Sequence, residues 1–180
     1  CTKLTHIEFG NQFNNLLLNS LDNCTSLTHI TFGVQFNNPL LNSLDNCTSL
    51  THIEFCFYFN QPLDNSLNNC SSLTHIEFGF YFNQPLDIFL YNHPLLVYLG
   101  LDYDYNQKID LPHNIRSLSL NCNNQSLIEH LPDTIEEIEL GLNFNLDLDN
   151  LPSSIKKITF YEYSQHDKEL NCLPNGLEIL

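Results

Sequence analysis

Apolar residues return with a fixed step through the first half of the chain. Leu4, Ile7 and Phe9 are followed by Leu27, Ile30 and Phe32, then Leu50, Ile53 and Phe55, then Leu73, Ile76 and Phe78, a recurrence of 23 residues. Within each segment the fourth and sixth positions are apolar and the third and fifth are polar, the alternation of a short strand with one face buried. The phase continues at Leu96, Ile115, Ile135, Ile155 and Leu177, with steps that shorten to between 19 and 22 residues. Eight coils are complete and a ninth opens at Leu177. One coil of this size cannot bury enough surface to offset the entropy of ordering it, so the copies must stack. The pattern predicts one α/β repeat solenoid over residues 1–180, with long repeats in 1–95 and shorter ones in 96–180. Each coil is expected to add one short parallel strand to a concave sheet. Because the chain opens at Cys1 without a methionine, it is expected to be part of a longer protein.

A second pattern follows each strand: Phe13-Asn14, Phe36-Asn37, Phe59-Asn60, Phe82-Asn83, Tyr105-Asn106 and Phe144-Asn145. The rings are expected to pile into a buried spine. An asparagine repeated at one turn can donate to and accept from neighbouring coils, so these amides are expected to form a structural ladder. Leu17, Leu21 and Cys24, and their equivalents 23 and 46 residues on, fall at i, i+4 and i+7, which predicts about two helical turns in the early return segments. In the second half the return shrinks to Leu111-Pro112, Leu131-Pro132, Leu151-Pro152 and Leu173-Pro174, which predicts an irregular or 3₁₀ path. Cys1, Cys24, Cys47 and Cys70 make a column continued by His93. Matched thiols in such a column are expected to be reduced, buried packers, which favours an intracellular, cytoplasmic setting.

The six-residue kernel resembles that of leucine-rich repeats. Phe32-Gly33-Val34-Gln35-Phe36-Asn37-Asn38-Pro39-Leu40, Phe59-Asn60-Gln61-Pro62-Leu63 and Phe78-Gly79-Phe80-Tyr81-Phe82-Asn83-Gln84-Pro85-Leu86 resemble the FNIP repeat, abundant in social amoebae and giant DNA viruses. The Leu-Pro-x-x-Ile steps of the second half, such as Leu151-Pro152-Ser153-Ser154-Ile155, are similar to that family's closing motif. The Asn-Cys-x-x-Leu steps, such as Asn46-Cys47-Thr48-Ser49-Leu50, are similar to the cysteine-containing repeats of F-box proteins. The resemblance implies a protein-binding module, and the family's association with F-boxes implies the substrate-recognition arm of a cullin-type ubiquitin ligase. The ligase scaffold would then be a partner if an F-box lies upstream.

Composition narrows the partners. Lys and Arg total 6 against 21 Asp and Glu, a formal charge of −15, and Lys3 is the sole lysine or arginine before Lys108. Such a surface repels nucleic acid and anionic membranes and favours a basic protein. No apolar run is long enough for a membrane span.

His6, His29, His52 and His75 occupy the third strand position and Glu8, Glu54 and Glu77 the fifth, so both sets are expected on the outer face. Two readings compete: a row that modulates partner binding near pH 6, and exposed positions that have scarcely diverged. Phe57, Phe80 and Tyr103 share the eighth position of their coils, with Tyr98 nearby, and form a stripe that is either a hot spot or core. No catalytic, cofactor or metal site is expected, because the histidines and cysteines recur in phase where an enzyme places different groups once each. Asn23, Asn46, Asn69 and Asn124 open glycosylation sequons, read as accidents of the repeat because three adjoin the cysteine column; an extracellular module is the reading they would support. The remaining alternative is a structural or self-associating role, suggested by strand edges expected to lie open at both ends.

Overall fold

The computed structural model describes every residue except Cys1, Asp64, Asn150 and Cys172. Nine strands form one sheet in chain order: β1 (His6–Glu8), β2 (His29–Phe32), β3 (His52–Phe55), β4 (His75–Glu77), β5 (Tyr98–Leu101), β6 (Ser117–Leu120), β7 (Glu137–Leu140), β8 (Lys157–Phe160) and β9 (Glu178–Ile179). Every neighbouring pair is parallel, and the register sets equivalent residues side by side, His29 against His52 and Ile30 against Ile53. A parallel sheet with sequential neighbours requires each connection to return to the same end, which is what a coil does.

The inward side chains make a continuous core along the stack. Leu27, Leu50, Leu73, Leu96, Ile115, Ile135 and Ile155 are buried at the first position, and Ile30, Ile53, Ile76, Leu99, Leu118, Ile138 and Ile158 at the fourth. The aromatic spine is double. Phe13, Phe36, Phe59, Phe82 and Tyr105 stack one coil apart at 5.9 to 6.2 Å between ring centres. Phe9, Phe32, Phe55 and Phe78 form a second file, crossing to the first at 3.8 to 4.4 Å.

The return segments depart from the helical expectation in the first three coils. There the backbone closes a succession of i to i+3 turns, Ser20 N to Leu17 O, Cys24 N to Leu21 O and Leu27 N to Cys24 O at 2.8 to 3.0 Å, and the second coil repeats them. Leu18 and Leu41 open their segments with left-handed backbone (φ 46° and 51°). The polar run Asn42-Ser43-Leu44-Asp45-Asn46 explains the difference, since short polar side chains compete for backbone bonds and the segment is too brief to nucleate a helix. Where Ile88-Phe89-Leu90-Tyr91 replaces that run, helix α1 (Asp87–Asn92) forms. A second helix, α2 (Gln125–Glu129), lies in the half where none was expected; the Asn124 side chain caps it by accepting from Leu127 N. No helix among the described residues is long and apolar enough to cross a membrane.

Candidate protein-binding face

Two ladders fix the edges of the coils. Asn14 Oδ1 accepts from the backbone N–H of Asn37, Asn37 from Asn60, Asn60 from Asn83 and Asn83 from Asn106, at 2.9 to 3.1 Å. Gln61, Gln84 and Gln107 each add a side-chain donor to the asparagine of the preceding coil at 3.0 Å. On the opposite return, Cys24, Cys47 and Cys70 are buried, and the Cys70 thiol points at Leu44 O (3.6 Å). Burial pushes the Cys47 thiol up to about 11 and the Cys70 thiol to about 12, which makes both inert as nucleophiles. Cys24, Cys47, Cys56, Cys70 and Cys122 are free thiols, while Cys1 lies outside the described residues. His93 takes the same column in the next coil, with Phe89 O and Leu67 O at 2.7 and 2.9 Å from its two ring nitrogens.

The outer face of the sheet carries three parallel columns. The first is the stack of His6, His29, His52 and His75, with ring centres 4.1 to 4.3 Å apart and planes within 12°. Tyr98 prolongs it at 5.5 Å. Thr5, Thr28, Thr51 and Thr74 hold the rings through contacts of 2.8 to 2.9 Å to Nδ1. Desolvation, followed by repulsion from His75, His29 and His6, lowers His52 to about 4; His29 and His75 are lowered for the same kinds of reason. His52 is therefore neutral at pH 6, and His29 and His75 resist protonation more than an ordinary imidazole does.

The second column runs Glu8, Thr31, Glu54, Glu77 and Gly100 in register. Glu77 is exposed as a residue, yet desolvation of its carboxyl and the neighbouring Glu54 raise its pKa, opposed by the hydrogen bond that Tyr98 donates to Oε2 (3.5 Å). Histidines on one side, Thr31, Glu54 and Glu77 on the other, and Tyr98 at the end enclose a cleft of about 280 Å³.

The third column is aromatic. Phe57 stacks on Phe80 at 4.9 Å and Phe80 on Tyr103 at 4.7 Å, while Tyr58 and Tyr81 pack edge-on against them. These rings belong to turns just past the strands, and Phe57, Tyr58, Tyr81 and Tyr103 are 38, 39, 39 and 47% exposed, which places the stripe on the surface and not in the core. A second groove, also of about 280 Å³, runs between Glu54 and Glu77 on one bank and Phe57 and Phe80 on the other. The carboxylates are thus a ridge between imidazoles and rings.

Among the described residues no group of three or more His, Cys, Asp or Glu side chains is placed to hold a metal ion. The histidine planes are parallel, so their in-plane lone pairs run side by side and do not converge. Asn23, Asn46 and Asn69 are exposed despite the buried thiols beside them, so burial is not a reason to discount their sequons. Asn124 is buried, capping α2 with Oδ1 and donating from Nδ2 to Gln107 O (2.8 Å). The sequence reading missed a second ladder, in which Asn121 Oδ1 accepts from Asn143 N (2.8 Å) and Asn123 Oδ1 from Asn145 N (2.7 Å). The 22-residue spacing of those asparagines was its only trace.

A family model described as the FNIP repeat matches residues 105–143 and 124–163. Among solved structures, the chain is similar to the crystal structure of CroV588, described as a novel circular LRR protein, with 32% identity and a TM-score of 0.61. That likeness covers 98% of this chain and 30% of the other. No curated protein matches the sequence.

Proposed function

We propose, from the premise that the chain is a repeat protein of the FNIP leucine-rich type, that its sheet face over β2–β5 binds a basic protein partner. The observation that carries this reading is the contiguity of the three columns. Stacked imidazoles, an acidic ridge and an aromatic stripe at the surface lie side by side on one rigid sheet. Exposed rings supply anchors, and the carboxylates around them select for positive charge. The net charge of −15 extends that preference to the long-range encounter. The finer form of the reading, the substrate-recognition arm of an F-box/cullin ubiquitin ligase in the cytoplasm, rests on the FNIP repeats alone.

Alanine at Phe80 and Tyr103 together is expected to abolish capture of the partner by the full-length protein. The melting temperature should fall little, because Tyr103 is exposed and Phe80, half-buried between Phe57 and Tyr103, lies outside the core. Capture undiminished in the double variant overturns the proposed face. Recovery of copies of the chain itself as the captured species supports the architectural alternative, and co-purification of a cullin scaffold supports the ligase form.

A further inference from the structure

The histidine column determines which hydrogen-bonding groups the cleft presents. Thr28, Thr51 and Thr74 each spend their one hydroxyl proton on the threonine carbonyl of the preceding coil, at 2.9, 3.0 and 3.1 Å. Toward the adjoining imidazole each hydroxyl then offers only a lone pair. The protons of the 2.8 Å contacts therefore come from Nδ1 of His29, His52 and His75. A neutral ring protonated at Nδ1 is bare at Nε2, so each ring is left with one acceptor.

The other side-chain donors lining the cleft are also committed. The Thr31 hydroxyl donates to Glu54 Oε2 (3.4 Å) and the Tyr98 hydroxyl to Glu77 Oε2 (3.5 Å). No lysine or arginine lines the cleft, and neither Glu54 nor Glu77 belongs to an ion pair among the described residues. Gly100 shapes the far end: a Cβ there would stand 2.7 Å from Glu77 Cγ and 3.3 Å from Cδ, so the glutamate lies against the bare backbone of the next coil. The ring column stops at Tyr98, whose partner in register is Ser117, which leaves that end open.

A cleft of acceptors without free donors is complemented by a group that is all donor. Ammonium and guanidinium both qualify, but the planar guanidinium has five N–H groups in one plane. It can grip a carboxylate with two of them, turn others to imidazole nitrogens, and lay its flat face on an aromatic ring. Imidazole edges, carboxylates and rings occur here in adjacent columns. We propose that the cleft over β2–β5 is an arginine-binding site, in which a partner's guanidinium pairs with Glu54 and Glu77 and donates to Nε2 of His52 and His75. The site rests on the protein-binding reading above and gives that partner its chemistry.

The test is titration of the chain with N-acetyl-arginine methylamide, beside its citrulline and lysine counterparts, followed by the side-chain ¹⁵N resonances of the histidines. His52 and His75 are expected to be bare at Nε2 in the free protein and to shift on addition of the arginine probe. Citrulline, the neutral near-isostere, should bind about tenfold more weakly or worse, the loss expected of one charged hydrogen bond. Glu54→Gln with Glu77→Gln should cause a similar loss with strand amide resonances unchanged, and Gly100→Ala, which displaces Glu77, should weaken the arginine response. Protonated Nε2 in the free protein, an equal response to citrulline, or arginine binding untouched by the two glutamines overturns the site. Partner capture that survives the glutamine pair but fails with Phe80→Ala and Tyr103→Ala overturns the arginine site and leaves the binding face standing.

Discussion

In the first half, His29, His52 and His75 stand beside one another in the sheet; in the second, the same position holds Ser117, Glu137, Lys157 and Glu178. The inward neighbours scarcely change: Ile53, Ile76, Leu118, Ile138 and Ile158 are all buried. A 23-residue coil and a 20-residue coil thus deliver the same strand to the same core, and the length of the return is absorbed on the far side. What the halves teach concerns the other positions. Near-identical copies place like groups against like, which suits rings, amides and thiols but penalises charge. The early columns are accordingly neutral or interrupted. His52 is held uncharged at neutral pH, and the acidic file is broken by Thr31 and ends at Gly100. Within that file, the adjacent pair Glu54 and Glu77 is where a carboxyl is pushed up. The later coils have diverged enough for opposite charges to meet, as Lys156 and Glu136 do at 2.5 Å, and Lys156 lowers the Glu136 pKa.

The comparison can be broken most forcefully at the spine. Phe59 is fully buried between Phe36 and Phe82 and lies 3.9 Å from Phe55, so Phe59→Ala should destabilise the fold by about 3–5 kcal/mol. A double-mutant cycle with Phe82 should show coupling of about 0.5–1.5 kcal/mol. The same cycle with Phe144, in the other half, should be additive to within about 0.5 kcal/mol. Equal coupling in both cycles would deny that the halves differ in this respect. Denaturant melts of the three single and two double variants decide it.

The asparagine ladder gives a smaller effect with a direction built in. Asn60 accepts from Asn83 N–H and from Gln84 Nε2, so Asn60→Ala strands donors in a partly buried turn and should cost about 1–3 kcal/mol. Asn106 ends the file and accepts only from side chains, at 3.1 and 3.4 Å, so Asn106→Ala should cost under about 1 kcal/mol. Similar losses at both sites would show that the file is not a ladder.

The smallest effect is in acid. The folded value for His52 lies near 4, below the 6.5 of the unfolded chain, so the unfolded chain takes up the proton first as pH falls. Stability from the neutral stack is therefore complete above pH 6.5 and is lost between 6.5 and about 4. Melting temperatures across that window should fall more steeply in the natural chain than in His52→Gln. Parallel curves would mean the histidines are not desolvated as described.

Several of these features were legible before any coordinate was known. The steps of Leu27, Ile30 and Phe32 reveal strand, register and buried face, and the recurrence of Phe36-Asn37 reveals where rings and amides pile. The turns were misjudged because Leu17, Leu21 and Cys24 have helical spacing, and a chain of i to i+3 turns buries the same three side chains. Whether Phe57, Phe80 and Tyr103 belong to the core or the surface was undecidable from spacing, since a ring two or three residues past a strand faces in or out according to how the turn bends. Asn121 and Asn123 escaped notice because the aromatic-asparagine pair no longer marks their coil.

By itself the sequence determined the stacking, because a period repeated in near-identical copies leaves only one way to bury every Leu, Ile and Phe at once. Only the tertiary structure decided which atoms the surface offers. The bare Nε2 of His52 follows from a threonine proton given to a carbonyl 23 residues earlier. The place of Glu77 follows from the missing side chain of Gly100, its neighbour across the sheet. Both depend on contacts between coils, and such contacts exist only once the coils are stacked.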